Sequence, residues 1–175
     1  ERSEAAAQVK AIVAGAGKMA PTTGDLLPAL KLRLADSNRN MAATVTTLLA
    51  DICRAVGPAF DRQSHIVLEA SVRNLGDNKK MVRDATLAFL VALLEVGCGH
   101  SVFSEIADSL KHLKVEGGKV ETIHWLASQV SDGWVEDSAS IAATLKVAAA
   151  GVEDKAVTVR TSGAALMDEL VKVCG

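Results

Sequence analysis

Apolar residues along this chain recur at spacings of three and four rather than two, which is the period of amphipathic helices. Met41, Val45, Leu48, Leu49 and Ile52 fall on one face of a helix that begins after Asp36-Ser37 and is stopped by Gly57-Pro58. Before it, Leu26, Leu27, Leu30 and Leu34 predict a shorter helix with Asp25 as N-cap and Pro28 in the first turn, where a missing N–H costs little. An opening helix from about Arg2 to Ala14 places Ala5, Val9, Ile12 and Val13 on one face, and Gly15 and Gly17 end it. Three further pairs follow: Asp61–Leu75 with Lys79–Val96, Ser101–Leu113 with Lys119–Val130, and Asp137–Ala150 with Ala156–Val173. The third pair is joined by Lys114-Val115-Glu116-Gly117-Gly118, and Asp132-Gly133 breaks the chain after it. No strand-like alternation survives, so the pattern is all-α, with about nine helices. Short turns within each pair make the paired helices antiparallel neighbours.

One phrase is repeated where these helices begin. Leu34-Ala35-Asp36, Leu75-Gly76-Asp77 and Val152-Glu153-Asp154 each carry an apolar residue two before the Asp and another five after it, at Met41, Val82 and Val159. Asp36 and Asp77 are 41 positions apart, and Asp154 lies 77 beyond Asp77, close to two periods. A period of about 40 with two helices per unit is the signature of a HEAT-type α-solenoid. One pair cannot bury its apolar face alone, so stacked pairs share a continuous core and set their turns side by side along one edge.

Composition narrows the functional class. The 175 residues are 49% hydrophobic but only 3% aromatic, which favours closely stacked helices and allows one domain with a substantial core. A net charge of −2 argues against a dedicated nucleic-acid binder. No apolar run reaches the ~18 residues that span a membrane, and no signal-peptide pattern opens the chain. The start at Glu1, inside a helical pattern, is expected of a piece cut from a longer protein, with residues 1–175 one domain truncated in its first repeat. Cys53, Cys98 and Cys174 are isolated, as free core cysteines of a reducing compartment are. The four histidines, His65, His100, His112 and His124, lack ligand spacing, Gly97-Cys98-Gly99-His100 follows no strand, and Gly15-x-Gly17-Lys18 lacks phosphate-loop spacing. Neither a cofactor nor catalysis is expected. Trp125, Phe60, Phe89 and Phe103 are expected in the core.

The turns then carry the functional question. Asp36, Asp77 and Asp154 are placed to accept bonds from orphan helix N–H groups, and Arg83 and Arg160, six residues on, to reach acids of a neighbouring repeat. The cations Arg39, Lys79, Lys80 and Lys155 sit at helix starts, where the helix dipole disfavours them, so helix stability does not explain them. Lys114 and Lys119 bracket the degenerate third turn. Two readings stand: ordinary solvated surface, or a basic edge that steers an acidic protein partner.

The same phrases carry a family resemblance. Ala29-Leu30-Lys31-Leu32-Arg33-Leu34-Ala35-Asp36-Ser37-Asn38-Arg39-Asn40 and Leu75-Gly76-Asp77-Asn78-Lys79-Lys80-Met81-Val82-Arg83 resemble turn segments of TOG domains in the chTOG and plant microtubule-organisation family. Ala55-Val56-Gly57-Pro58-Ala59 and Trp125-Leu126 are similar to two further stretches of that family, so nearly the whole chain matches in order. The resemblance favours one of the later TOG domains of the array, the fourth, in a form similar to plant or green-algal members. The resemblance implies a non-enzymatic module of a plus-end microtubule polymerase, in the cytoplasm on microtubules and spindle. Its implied partners are αβ-tubulin or the microtubule lattice and the neighbouring TOG domains of its own chain, without nucleic acid, membrane or cofactor. The implied contacts are Ser37, Asn38, Arg39, Asn78, Lys79, Lys80, Lys119 and Lys155. The family's first turn offers an exposed Trp that has no counterpart here, and Trp134 is placed on the opposite, inter-repeat side. The competing expectation is a HEAT scaffold that binds a non-tubulin protein through its helical faces.

Overall fold

The computed structural model describes residues 2–174, with side chains from 4 to 173. Nine α-helices and no strand occur among the described residues: α1 Arg2–Ala16, α2 Leu26–Leu34, α3 Arg39–Val56, α4 Asp61–Val72, α5 Lys80–Glu95, α6 Val102–Ser109, α7 Glu116–Ser131, α8 Ser138–Val152 and α9 Val157–Cys174. Single 3-10 turns extend the chain at Gly57–Phe60, Arg73–Gly76 and Leu110–His112. The fold is the expected all-α HEAT solenoid, in two compact units. The first comprises the chain through Asn74 together with Lys79–Gly99, and the second Leu75–Asn78 together with the chain from His100.

In the first unit α3 packs against α1, α2 and α5, while α2 packs against α4. That gives two helical layers, α2 with α4 and α3 with its flanking α1 and α5. Met41, Val45, Leu48, Leu49 and Ile52 are all buried, as the periodicity of α3 requires. Phe60 and Phe89 meet edge to face at 6.4 Å between ring centroids. In the second unit α6 packs on α8, α7 on α9, and α8 on α9. Phe103 is buried and stacks on Trp125, which is half-buried. The α8–α9 crossing is close: a Cβ on Gly163 would lie 2.6 Å from the Gly151 carbonyl carbon, so only glycine fits there.

Side-chain bonds between helices recur at the repeat spacing. Thr23 with Gln63, Asn74 with Leu34, and Cys98 with Pro58 each join residues 40 apart. Arg54 with Glu95 spans 41, Ser131 with Glu169 and Ser162 with His124 span 38, and Thr158 with Glu116 spans 42. Equivalent stations of successive layers are therefore cross-linked within each unit.

Three sequence expectations change. The buried side of α1 is Ala6 and Val13 with Val9 half-buried, while Ala5 and Ile12 are exposed. α1 packs on α3 along a narrow face, and an Ala-rich helix gives little contrast from which to set the phase of that face. α7 starts at Glu116, so Glu116, Gly117 and Gly118 form its first turn rather than a linker. Glu116 suits a helix N-terminus, and its carboxylate accepts a bond from the Thr158 hydroxyl. Asp25 precedes α2 but makes no capping bond. Its backbone is right-handed helical (φ −78°, ψ 0°), not the extended conformation that a capping side chain uses.

Cys53 and Cys98 are buried free thiols; the Cys174 side chain lies outside the described residues. Burial first, and the neighbouring Cys98 thiol second, push Cys53 up to about 12, which makes it an unreactive packing group. No helix of the described residues is long and apolar enough to cross a membrane, and no three His, Cys, Asp or Glu side chains among them gather as a metal site would require.

Candidate functional site

The repeated Asp stands three residues before the first helical residue in each phrase, since α3, α5 and α9 start at 39, 80 and 157. Asp36 and Asp154 each bond the turn that leads into the helix. Asp36 Oδ1 accepts from Asn38 N at 2.9 Å, and Asp154 Oδ1 from Ala156 N at 2.9 Å, so each carboxylate shapes the turn two residues on. The cap of α3 is Asn38, whose side chain accepts from Asn40 N at 3.1 Å. The repeated phrase therefore encodes a turn followed by a helix start, with the side chains between left at the tip.

Arg39 and Lys119 take part in holding the turns. Arg39 donates through Nη1 to the carbonyls of Leu34 (3.3 Å) and Asp36 (2.9 Å), and through Nη2 to Asn74 Oδ1 (2.8 Å). Asn74 in turn donates to the Leu34 carbonyl at 3.2 Å. The guanidinium thus ties the α2–α3 turn to the end of α4, and the planar fork of Arg suits several fixed acceptors at once. Lys119 Nζ pairs with Asp154 Oδ2, and both side chains are largely buried, at 19% and 13% exposure. The Ala156 N–H first and the Lys119 ammonium second hold the Asp154 carboxyl below its ordinary value. Arg160, which is exposed, bonds the carbonyls of Asp154 and Lys155 rather than an acid of another repeat. Arg83 is buried at 7% exposure.

The remaining tip residues stay at the surface. Ser37 and Asn38 are exposed beside the Arg39 tie in the first unit. Lys79 caps α5 by position and is exposed, as is Lys80, which pairs with Asp84 one helical turn on. Asn78 is exposed and belongs to the second unit. Lys155 is exposed at the α8–α9 turn, and Lys114 is exposed before α7. The structure also brings Lys111, which the repeat pattern did not single out, to the same depression as Lys119 and Lys155. Its only sequence signal was a lysine at a helix end near the degenerate third turn. Trp134 is 45% exposed in the α7–α8 connection.

Comparison with known proteins gives these turns a family. No protein-family model matches the chain. Protein MOR1 of Oryza sativa subsp. japonica is 30% identical over 99% of the chain, and Protein MOR1 of Arabidopsis thaliana 31% over 99%. Protein mini spindles of Drosophila melanogaster is 35% identical over 74% of the chain. The chain spans 9% of the length of each MOR1 protein and 6% of mini spindles. Among solved structures, the MAST/Orbit N-terminal domain superposes with a TM-score of 0.81 at 18% identity, over 97% of this chain and 76% of that one. A chain of crescerin, described as using a TOG domain array to regulate microtubules in the primary cilium, superposes at 0.78 with 20% identity, over 98% of this chain and 72% of that one. The fold and the sequence relatives define a TOG domain. The chain belongs to the chTOG and MOR1 family.

Proposed function

We propose that this domain binds αβ-tubulin, free or in the microtubule lattice, through the exposed tips of its intra-repeat turns, as one module of a plus-end microtubule polymerase. The observation that carries this reading is that Ser37, Asn38, Asn78, Lys79, Lys80 and Lys155 are exposed at the stations of the repeated turn, while Arg39 and Lys119 take part in holding the turns. Arg39 and Lys119 serve the contact by shaping the tip. Neighbouring TOG domains of the same protein share the work, and the site of action is the microtubule cytoskeleton, including the spindle.

Rim contacts by exposed lysines add about 0–1 kcal/mol each and are screened by salt. The test is co-elution with αβ-tubulin at low and moderate salt, using the chain and its Lys79→Glu/Lys80→Glu variant. Binding is expected to weaken with salt and to fall about fivefold or more in the variant. The melting temperature should stay nearly unchanged, because the Lys80–Asp84 pair is more than half exposed on both sides. Unchanged tubulin binding in a folded variant would favour a scaffold that works through its helical faces.

A further inference from the structure

Away from the turn edge, the α7–α8 connection of the second unit holds an exposed tryptophan in a fixed loop. α7 ends at Ser131 in a closing motif: Gly133, at φ +79°, returns its N–H to the Val130 carbonyl at 3.2 Å, and the Trp134 N–H reaches the Gln129 carbonyl at 2.9 Å. In such an ending an apolar side chain at the place of Trp134 commonly packs on those at the places of Gln129 and Ser128. Both of these are polar here, and the Gln129 amide is turned to the Trp125 carbonyl. The Trp134 indole is left 45% exposed, with no ring contact among the described residues. Buried Val135 and the Asp137 cap, which accepts from Ala139 N at 2.8 Å and Ser140 N at 2.9 Å, fix the other side of the loop.

The charge around this ring is of one sign. The α7 dipole presents its negative end here, and the last turn of α7 has no basic residue. Asp132 and Glu136 add two exposed carboxylates that pair with no cation among the described residues. Glu136 Oε1 lies 3.8 Å from the place a Cβ would take on Gly133, beside the tryptophan. No lysine or arginine occurs between Lys119 and Lys146. On the α9 side, Lys172 is paired with Glu169, which also accepts from the Ser131 hydroxyl. Acids at this end of a helix oppose its dipole, so helix stability does not explain them.

We propose that the Trp134 loop is a second interaction surface, which receives an arginine side chain from a basic, extended segment of a protein partner. A guanidinium stacks on an indole face while its planar fork donates to carboxylates beside it, which an ammonium cannot do as well. The loop and the α6–α7 turn stand at opposite ends of α7, whose 16 residues span about 24 Å. A basic partner here therefore leaves the turn edge open, and the inference does not rest on the tubulin reading.

The test titrates a blocked tetraarginine peptide into the ¹⁵N-labelled chain, with tetralysine and tetraglutamine as controls. Tetraarginine is expected to shift the Trp134 indole N–H and the amides of residues 131–137, tetralysine to shift them less, and tetraglutamine to leave them in place. Trp134→Leu should weaken tetraarginine about two- to fivefold, and Asp132→Asn/Glu136→Gln about fivefold or more. Glu153→Gln, at the far end of α8, removes an exposed acid and should cost less than about twofold. Melting temperatures of the variants confirm that each is folded, and αβ-tubulin co-elution should be the same for Trp134→Leu as for the unaltered chain. No loss in Trp134→Leu, or equal losses in the loop and Glu153 variants, would overturn the surface. Shifts of the same signals on raising the protein concentration without peptide would also overturn it, by giving Trp134 to a second copy of the chain. Peptide binding at the loop with no tubulin binding by the unaltered chain would keep this surface and overturn the tubulin reading.

Discussion

Replacing Arg39 with alanine removes two bonds to turn carbonyls and one to the Asn74 side chain at once. Hydrogen bonds from a charged donor are worth about 1.5–3 kcal/mol each at most, and two of the acceptor residues, Leu34 and Asn74, are buried. Arg39→Ala is therefore expected to lower stability by about 1–3 kcal/mol in urea unfolding, with Arg39→Lys restoring only part because an ammonium cannot span the same acceptors. A loss of tubulin binding without a loss of stability would instead make Arg39 a direct contact. Asp154 gives a pH-dependent counterpart. Its folded carboxyl lies below the unfolded value of about 3.9, so its stabilisation is complete above that value and is lost as the pH falls through the folded one. Urea midpoints followed from about pH 6 to about pH 3 should fall more steeply for the unaltered chain than for Asp154→Asn. Parallel curves would remove Asp154 from this role.

Between elements, Gly163 offers a test with opposed signs. Helix propensity alone favours alanine over glycine by about 1 kcal/mol. The contact with α8 forbids it, since a Cβ would press on the Gly151 carbonyl carbon and the Val152 nitrogen, both at 2.6 Å. Gly163→Ala is expected to destabilise by about 1–3 kcal/mol, as overpacking does, and a rise in the urea midpoint would mean that the two helices can part freely. This crossing was not legible in the sequence, because glycines 12 positions apart announce nothing about helices meeting. α3 was legible from Met41 to Ile52 because large apolar and polar positions contrast along it. α1 was legible as a helix but not in phase, since alanines do not distinguish inside from outside. The start of α7 was hidden by Gly117-Gly118, which suggest a linker until Glu116 is seen bonded to Thr158. Of the candidate site, the stations were visible in the repeated phrase. The division between Arg39 and Lys119, which hold the turn, and Lys79 and Lys155, which are exposed at the surface, depends on partners some 35 residues away.

At the scale of the protein, the chain spans 9% of the length of the MOR1 relatives, and the proposed function makes it one module among others. Exposed lysines give weak single contacts, and tethering converts weak contacts into useful ones through effective concentration. Two copies joined by a flexible linker are expected to bind tubulin at least about tenfold tighter than one copy, provided the linker lets both engage; equal affinity by sedimentation would show that a second site cannot be reached. The spacing of the cross-helix bonds has a kinetic consequence as well. Because Thr23–Gln63, Arg54–Glu95 and Thr158–Glu116 each close a segment of 40–42 residues, a chain emerging from the ribosome can lock a layer as soon as the next pair of helices has been synthesised, without waiting for its C-terminus.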